Sequence, residues 1–113
     1  MQRIKPLHFV TDDRRGLLAA DGDKVAYCVV ISPGKYAGAH LHKEKTERVY
    51  VVSGPVRFIT EDEGERMSVM LDEGDGVLIP PLTPHKFEAS DYDVILLVLA
   101  DRAGEDDTAA VIM

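Results

Sequence analysis

The sequence predicts an all-β protein, a double-sheet jelly roll, and three observations carry that prediction. Apolar and polar residues alternate in short blocks, turn-forming residues separate the blocks at intervals of about 8–12 residues, and helical periodicity nowhere persists beyond about two turns. Alternation at period two builds strands with one face buried. Short strands joined by tight connections close into a sandwich or small barrel rather than a parallel sheet covered by helices.

The strands follow in order. GLLAA (16–20) and KVAYCVVIS (24–32) are separated by the turn signal DGDK, and GAHLH (38–42) comes after SPGK. ERVYVVSG (47–54) and VRFITED (56–62) meet at SGP, and RMSVMLD (66–72) follows EDEGE. GVLIPP (76–81) follows DEGDG, HKFEAS (85–90) follows PPLTP, and DVILLVLAD (93–101) follows SDYD. EDEGE reads as a solvated hairpin tip whose acids need no functional account. The tail RAGEDDTAAVIM is compatible with a short helix, an edge strand or a partner-binding segment. One domain is expected over 1–113, with an N-terminal arm or strand over 1–15 and a C-terminal tail over 101–113.

Composition narrows the classes. Apolar residues make up 45% and charged ones 29%, which suits a folded soluble protein and not a disordered one. With 20 acidic against 13 basic residues the net charge is -7, so neither nucleic acid nor an anionic membrane is expected as the main partner. No segment approaches the ~20 apolar residues of a membrane span, and the start MQRIKPLHFV lacks a signal-peptide core, so a cytoplasmic location is expected. Cys28, the single cysteine, excludes an internal disulfide and reads as a small buried hydrophobe. His8 reads as an ordinary surface or packing residue.

One stretch breaks the apolar pattern. His40 and His42, two apart, share a strand face, and Glu47 follows a short loop at the head of the apolar run ERVYVVSG. If Glu47 shares the inward side with Val49 and Val51, polar groups have been placed in a core, at a cost of several kcal/mol unless something compensates them. A divalent cation does so. Imidazole nitrogen with carboxylate oxygen suits zinc, manganese, iron, nickel or copper, with no thiolate nearby to favour a closed structural zinc site. His85 is the fourth candidate: Pro80, Pro81 and Pro84 stiffen the chain leading into it, and Phe87 shares its face.

Gly34, His40, His42, Glu47 and Gly54 meet every fixed position of G-x5-H-x-H-x3,4-E-x6-G, and Gly74, Pro80 and His85 meet positions of G-x5-P-x-G-x2-H-x3-N. On these residues the chain resembles the cupins over Gly34 to Ala89. It departs from the second pattern at Leu82, where the family has Gly, and at Ala89, where it has Asn. The resemblance implies a double-stranded β-helix barrel and commonly a homodimer. It also implies a divalent metal ion (zinc, manganese, iron or nickel) held by His40, His42, Glu47 and His85 near the barrel mouth. Some cupins instead use the histidines directly as acid and base.

HLHKEKTERVYVVSG and VLIPPLTPHKFEASDYDVILLVLAD resemble the cupin domain that ends the bifunctional capsule-sugar epimerase/reductases. DDRRGLL and IPPLTPH are similar to the nucleotide-sugar ketoisomerases, which usually carry Gln where this chain has Glu47. Both resemblances imply a sugar-like ligand and a sugar epimerase or isomerase of polysaccharide metabolism. His40, His42 or Glu47 would then move the proton beside a ketone that the ion polarises. Lys43, Lys45 and Arg48 form a local basic cluster suited to a pyrophosphate, and Tyr36 and Phe87 are further candidate contacts. Alternation puts Tyr50 on the face opposite Glu47. Other readings are a metal cupin acting on uronates or another small acid, a small metal-dependent dioxygenase, and a non-catalytic binding or sensing module.

Overall fold

The alternation becomes strands, each antiparallel to its neighbours. The computed structural model describes residues 1–2, 8–10, 15–102 and 106–113, and the side chains of 8–17 and 19, His8 included, lie outside the described residues. In chain order the strands are β1 (His8–Val10), β2 (Arg15–Asp21), β3 (Lys24–Ile31), β4 (Tyr36–His42), β5 (Glu47–Ser53) and β6 (Val56–Asp62). They continue with β7 (Glu65–Leu71), β8 (Gly76–Ile79), β9 (His85–Glu88), β10 (Val94–Ala100) and β11 (Thr108–Ala110). One sheet has the order β1-β2-β3-β10-β5-β8 and the other β11-β4-β9-β6-β7. From β3 onward the chain passes back and forth between the two, as a jelly roll requires. No helix among the described residues is long and apolar enough to cross a membrane.

Every strand block read from the sequence finds its strand, with shifted ends. The block GVLIPP stops at Ile79, because Pro80 and Pro81 have no N–H to give a ladder. EDEGE forms the β6–β7 hairpin, turning at Glu63 and Gly64 with φ of 51° and 81°. Both residues in the left-handed region make the two-residue turn that matches strand twist. β1 falls in the segment read as an N-terminal arm or strand, and β11 shows that the tail, for which a helix, an edge strand and a partner-binding segment are all compatible with the sequence, includes an edge strand laid on β4.

The core lies between the sheets. Val49 and Val51 of β5 point inward while Arg48, Tyr50 and Val52 point outward, and Val94, Leu96 and Val98 of β10 repeat the pattern. Each such aliphatic side chain contributes about 1.5–3 kcal/mol when fully buried. Phe58 and Phe87 pack with ring centroids 4.9 Å apart below the site.

Two backbone features position the histidines, and alternation alone does not reveal either. On β4, Ala37 faces inward opposite Phe87, so strict alternation would turn His40 and His42 outward. An extra residue corrects this. The register against β9 shifts between Gly38 and His40, with φ of 97° at Gly38 and 62° at Ala39, and this bulge brings His40 opposite His85 on the inner face. A Cβ at Gly38 would stand 2.8 Å from the His85 carbonyl oxygen, so glycine is required there. The second feature is Leu82, which takes φ 64° where the cupin pattern has Gly, and whose N–H donates to the His42 carbonyl at 2.6 Å. A left-handed conformation at a non-glycine residue costs roughly 1–2 kcal/mol.

Candidate metal centre

β4 ends in His42, β5 begins with Glu47 and β9 begins with His85, so three strand ends converge at one end of the barrel. One nitrogen from each of His40, His42 and His85 lies within 4.8 Å of the others. His42 and His85 are buried, and His40 is half-buried between them, its ring centroid 4.6 Å from that of His42 and 4.7 Å from that of His85. Glu47 closes the group: its Oε1 is 3.1 Å from His42 Nε2 and 3.5 Å from His85 Nε2.

The tautomers follow from the other side of each ring. His85 Nδ1 lies 2.9 Å from the Thr83 carbonyl, an acceptor only, so Nδ1 carries the proton and a neutral His85 presents the lone pair of Nε2. His42 Nδ1 lies 2.9 Å from Thr108 Oγ1 and 3.5 Å from Asp107 Oδ1, which orients that ring in the same sense. His42 Nε2 is buried without a hydrogen-bond partner: its approach to Glu47 is close but not aligned as a hydrogen bond. Electron-pair donors thus face one another across 3.1 and 3.5 Å, a repulsive arrangement unless a cation or added protons intervene. Metal bonds of ~2.0–2.2 Å place neighbouring donors ~3.0–3.5 Å apart. The two Glu47 contacts have that spacing and the three imidazole nitrogens lie within 4.8 Å of one another, so a small inward movement gathers the set around a divalent ion. His85 has a backbone carbonyl and His42 a hydroxyl and a carboxylate on the far side of the ring, partners that orient an imidazole toward a metal.

Burial pushes the Glu47 carboxyl up. Its contact with His42 and the charges of His42, His85 and Lys45 outweigh that penalty, leaving its pKa below the ordinary value. Asp107 is held low in the same way: burial raises it, while N–H donors from Glu44 and Lys45 and the charges of Lys45 and His42 more than offset the rise. Asp107 Oδ2 accepts those N–H groups at 3.1 and 2.9 Å, and the Asp107 carbonyl accepts from the Lys43 N–H at 2.8 Å. The loop between His42 and Glu47 is therefore tied to the C-terminal tail. Sequence reading singled out neither Asp107 nor Thr108, since an acid and a hydroxyl in a short polar tail carry no spacing signal.

The remaining candidates scatter. Lys43 is exposed, Lys45 is only 1% exposed with its charge acting on Glu47 and Asp107, and Arg48 projects from the outer face, so the three do not share a surface. The chain reverses and buries between them. Tyr36 is outside the barrel with Lys86 Nζ 4.5 Å over its ring, and Phe87 is buried behind His85 at a centroid distance of 6.5 Å. A cavity of about 40 Å³ adjoins His40, Glu47, His85 and Phe87, room for little more than one or two waters.

Two facing antiparallel sheets with histidines gathered at one end define a β-barrel with a candidate metal centre. Residues 27–100 match the family described as "Cupin domain", and the chain belongs to the cupin family. No curated protein matches the chain in sequence at a significant level. Among solved structures of this fold is the capsular polysaccharide assembling protein CapF from Staphylococcus aureus. It is 20% identical with TM-score 0.86, covering 98% of this chain and 33% of CapF, so the chain spans about a third of that protein. A further CapF structure, 21% identical over 98% of this chain and 36% of its own, with TM-score 0.84, contains the inhibitor 3-isopropenyl-tropolone. KdgF from Halomonas sp. is 30% identical with TM-score 0.66, over 82% of this chain and 81% of KdgF.

Proposed function

We propose that this cupin holds a divalent metal ion through His40, His42, His85 and Glu47 and acts there on a sugar-like small molecule as an epimerase or isomerase. The observation that carries the metal is the meeting of His42 Nε2, His85 Nε2 and Glu47 Oε1 at 3.1 and 3.5 Å, with Nε2 of His42 left without a hydrogen-bond partner. A divalent ion there supplies Lewis-acid polarisation of a ligand oxygen. Thr83, Thr108 and Asp107 hold the rings in place so that little reorganisation accompanies binding. His40, His42 and Glu47 are the groups available to take a proton beside a ligand carbonyl and return it, the step that epimerisation requires. The run H-x-H-x-x-K-T-E and the fold shared with a capsular polysaccharide assembling protein support the sugar class.

Incubation with a 4-keto-6-deoxy nucleotide sugar in deuterated water tests the chemistry by NMR. Exchange at C3 is expected with the native chain and not with Glu47→Gln. Binding without exchange would instead make the chain a sensing module. Absence of both would shift the substrate to a small acid, a reading favoured by the fold shared with Bacillus subtilis oxalate decarboxylase, 25% identical with TM-score 0.71 over 78% of this chain and 24% of that one.

We also propose that two copies pair through the outer face of the six-stranded sheet. Tyr50, Val52, Leu78 and Leu99 are exposed there on adjoining strands, beside a depression of about 620 Å³ edged by Arg48, Asp21 and Asp101. Light scattering should give twice the 12.5 kDa chain mass, and Leu78→Glu with Leu99→Glu should restore the single chain. A native monomer at high concentration would contradict this.

A further inference from the structure

The inner face of the five-stranded sheet carries one row that leads away from the histidines. Register sets His40 of β4 opposite His85 of β9, His85 opposite Thr60 of β6, and Thr60 opposite Met67 of β7. Residues directly opposite in antiparallel strands share a face, so these side chains line up on the inner surface. In the next row Phe87, Phe58 and Val69 are aligned in the same way. With strands ~4.8 Å apart, Met67 stands ~10 Å from His85, about the length of a small sugar-sized ligand.

The surface along this row is open where the site needs it to be. On the inner face of β7, Leu71 is 8% exposed, Val69 51% and Met67 57%, so the opposite sheet covers one end of the strand and leaves the other uncovered. The Thr60 hydroxyl donates to the Pro84 carbonyl at 3.0 Å, which occupies its proton inside the protein. The cavity behind His40 and His85, about 40 Å³, is too small for a sugar ring. The body of a ligand that reaches the imidazoles must therefore extend over an open surface, and the row from His85 across Thr60 ends on apolar side chains.

We propose that Met67 and Val69 form a specificity-determining shelf that receives an apolar substituent, a methyl or short alkyl group, of the ligand bound at the histidine centre. This rests on the metal-site reading above. A ligand hydroxylated at that position finds no partner on the shelf, whereas each methylene it covers tightens binding about fourfold. The shelf thus favours a deoxygenated carbon over a hydroxylated one.

Tropolone presents adjacent oxygens that chelate a divalent ion, and its 3-isopropenyl and 4-isopropyl derivatives add an apolar branch in different directions. Calorimetric titration of the zinc-loaded protein, with zinc retention checked by elemental analysis, should show at least one branched compound binding about tenfold tighter than tropolone. Met67→Ser with Val69→Ser should reduce that preference to within about twofold and leave tropolone itself unchanged. Both residues are more than half exposed, so the variant is expected to fold, as its melting curve will verify. A preference that survives the double substitution, the lack of any preference in the native chain, or a change of oligomeric state on substitution overturns the shelf. Failure of the native chain to retain zinc is a different failure and overturns the metal site itself, whereas retained zinc that tropolone does not reach overturns the shelf along with ligand access to the ion.

Discussion

Replacing His42 with alanine is expected to weaken divalent-metal binding by more than about 100-fold, because the side chain supplies one of the convergent nitrogens and orients against Thr108 and Asp107. His42 is buried, so the substitution also leaves a void and removes one contact of the Thr108 hydroxyl, with a further cost of roughly 1–3 kcal/mol in the metal-free protein. Glu47→Gln separates the two effects. It keeps the volume of the side chain and removes its charge, and should lose metal while retaining the circular dichroism of the native chain. Metal content unchanged in both variants would refute the assignment of these residues as ligands.

Asp107→Ala is expected to have the second largest effect, although the residue is not a proposed ligand. Its carboxylate accepts from the N–H groups of Glu44 and Lys45, the first bond part-buried and the second buried, and removing it takes that acceptor from both donors. A loss of roughly 2–4 kcal/mol follows, which lowers the melting temperature by about 10 °C or more. Since that loop connects His42 to Glu47, metal affinity should fall about 10–100-fold, the effect usual for residues that support a ligand from behind. A melt within about 2 °C of the native chain, together with native metal affinity, would show that the tail is not part of the site.

The contrast between these residues shows what the sequence makes legible. Alternation in ERVYVVSG predicts a strand with Glu47, Val49 and Val51 on one inward face, because burial on one face of a sheet imposes period two, whereas DVILLVLAD is apolar throughout and predicts a strand without saying which face is inward. His40, His42, Glu47 and His85 stand out because polar residues at the head of apolar strands call for compensation, and the structure brings them together. The inward direction of His40 and His42 has a cause that alternation does not contain: the extra residue at Gly38–Ala39 reverses the parity of β4. Asp107 and Thr108 were invisible because they reach His42 from 65 and 66 residues away through β11, a pairing set by tertiary packing. The basic cluster failed as a unit for a related reason. Lys43, Lys45 and Arg48 are close in sequence, but the loop and the first turn of alternation in β5 send them to solvent, interior and outer face.

Whether the histidine centre binds a divalent ion is read from the metal content of the protein. Protein grown with added zinc, manganese and iron and purified without a metal-affinity tag should contain about one equivalent of a divalent metal per chain by elemental mass spectrometry. Less than ~0.2 equivalents would refute metal binding at this centre and leave His40, His42, His85 and Glu47 as a proton-bridged polar network.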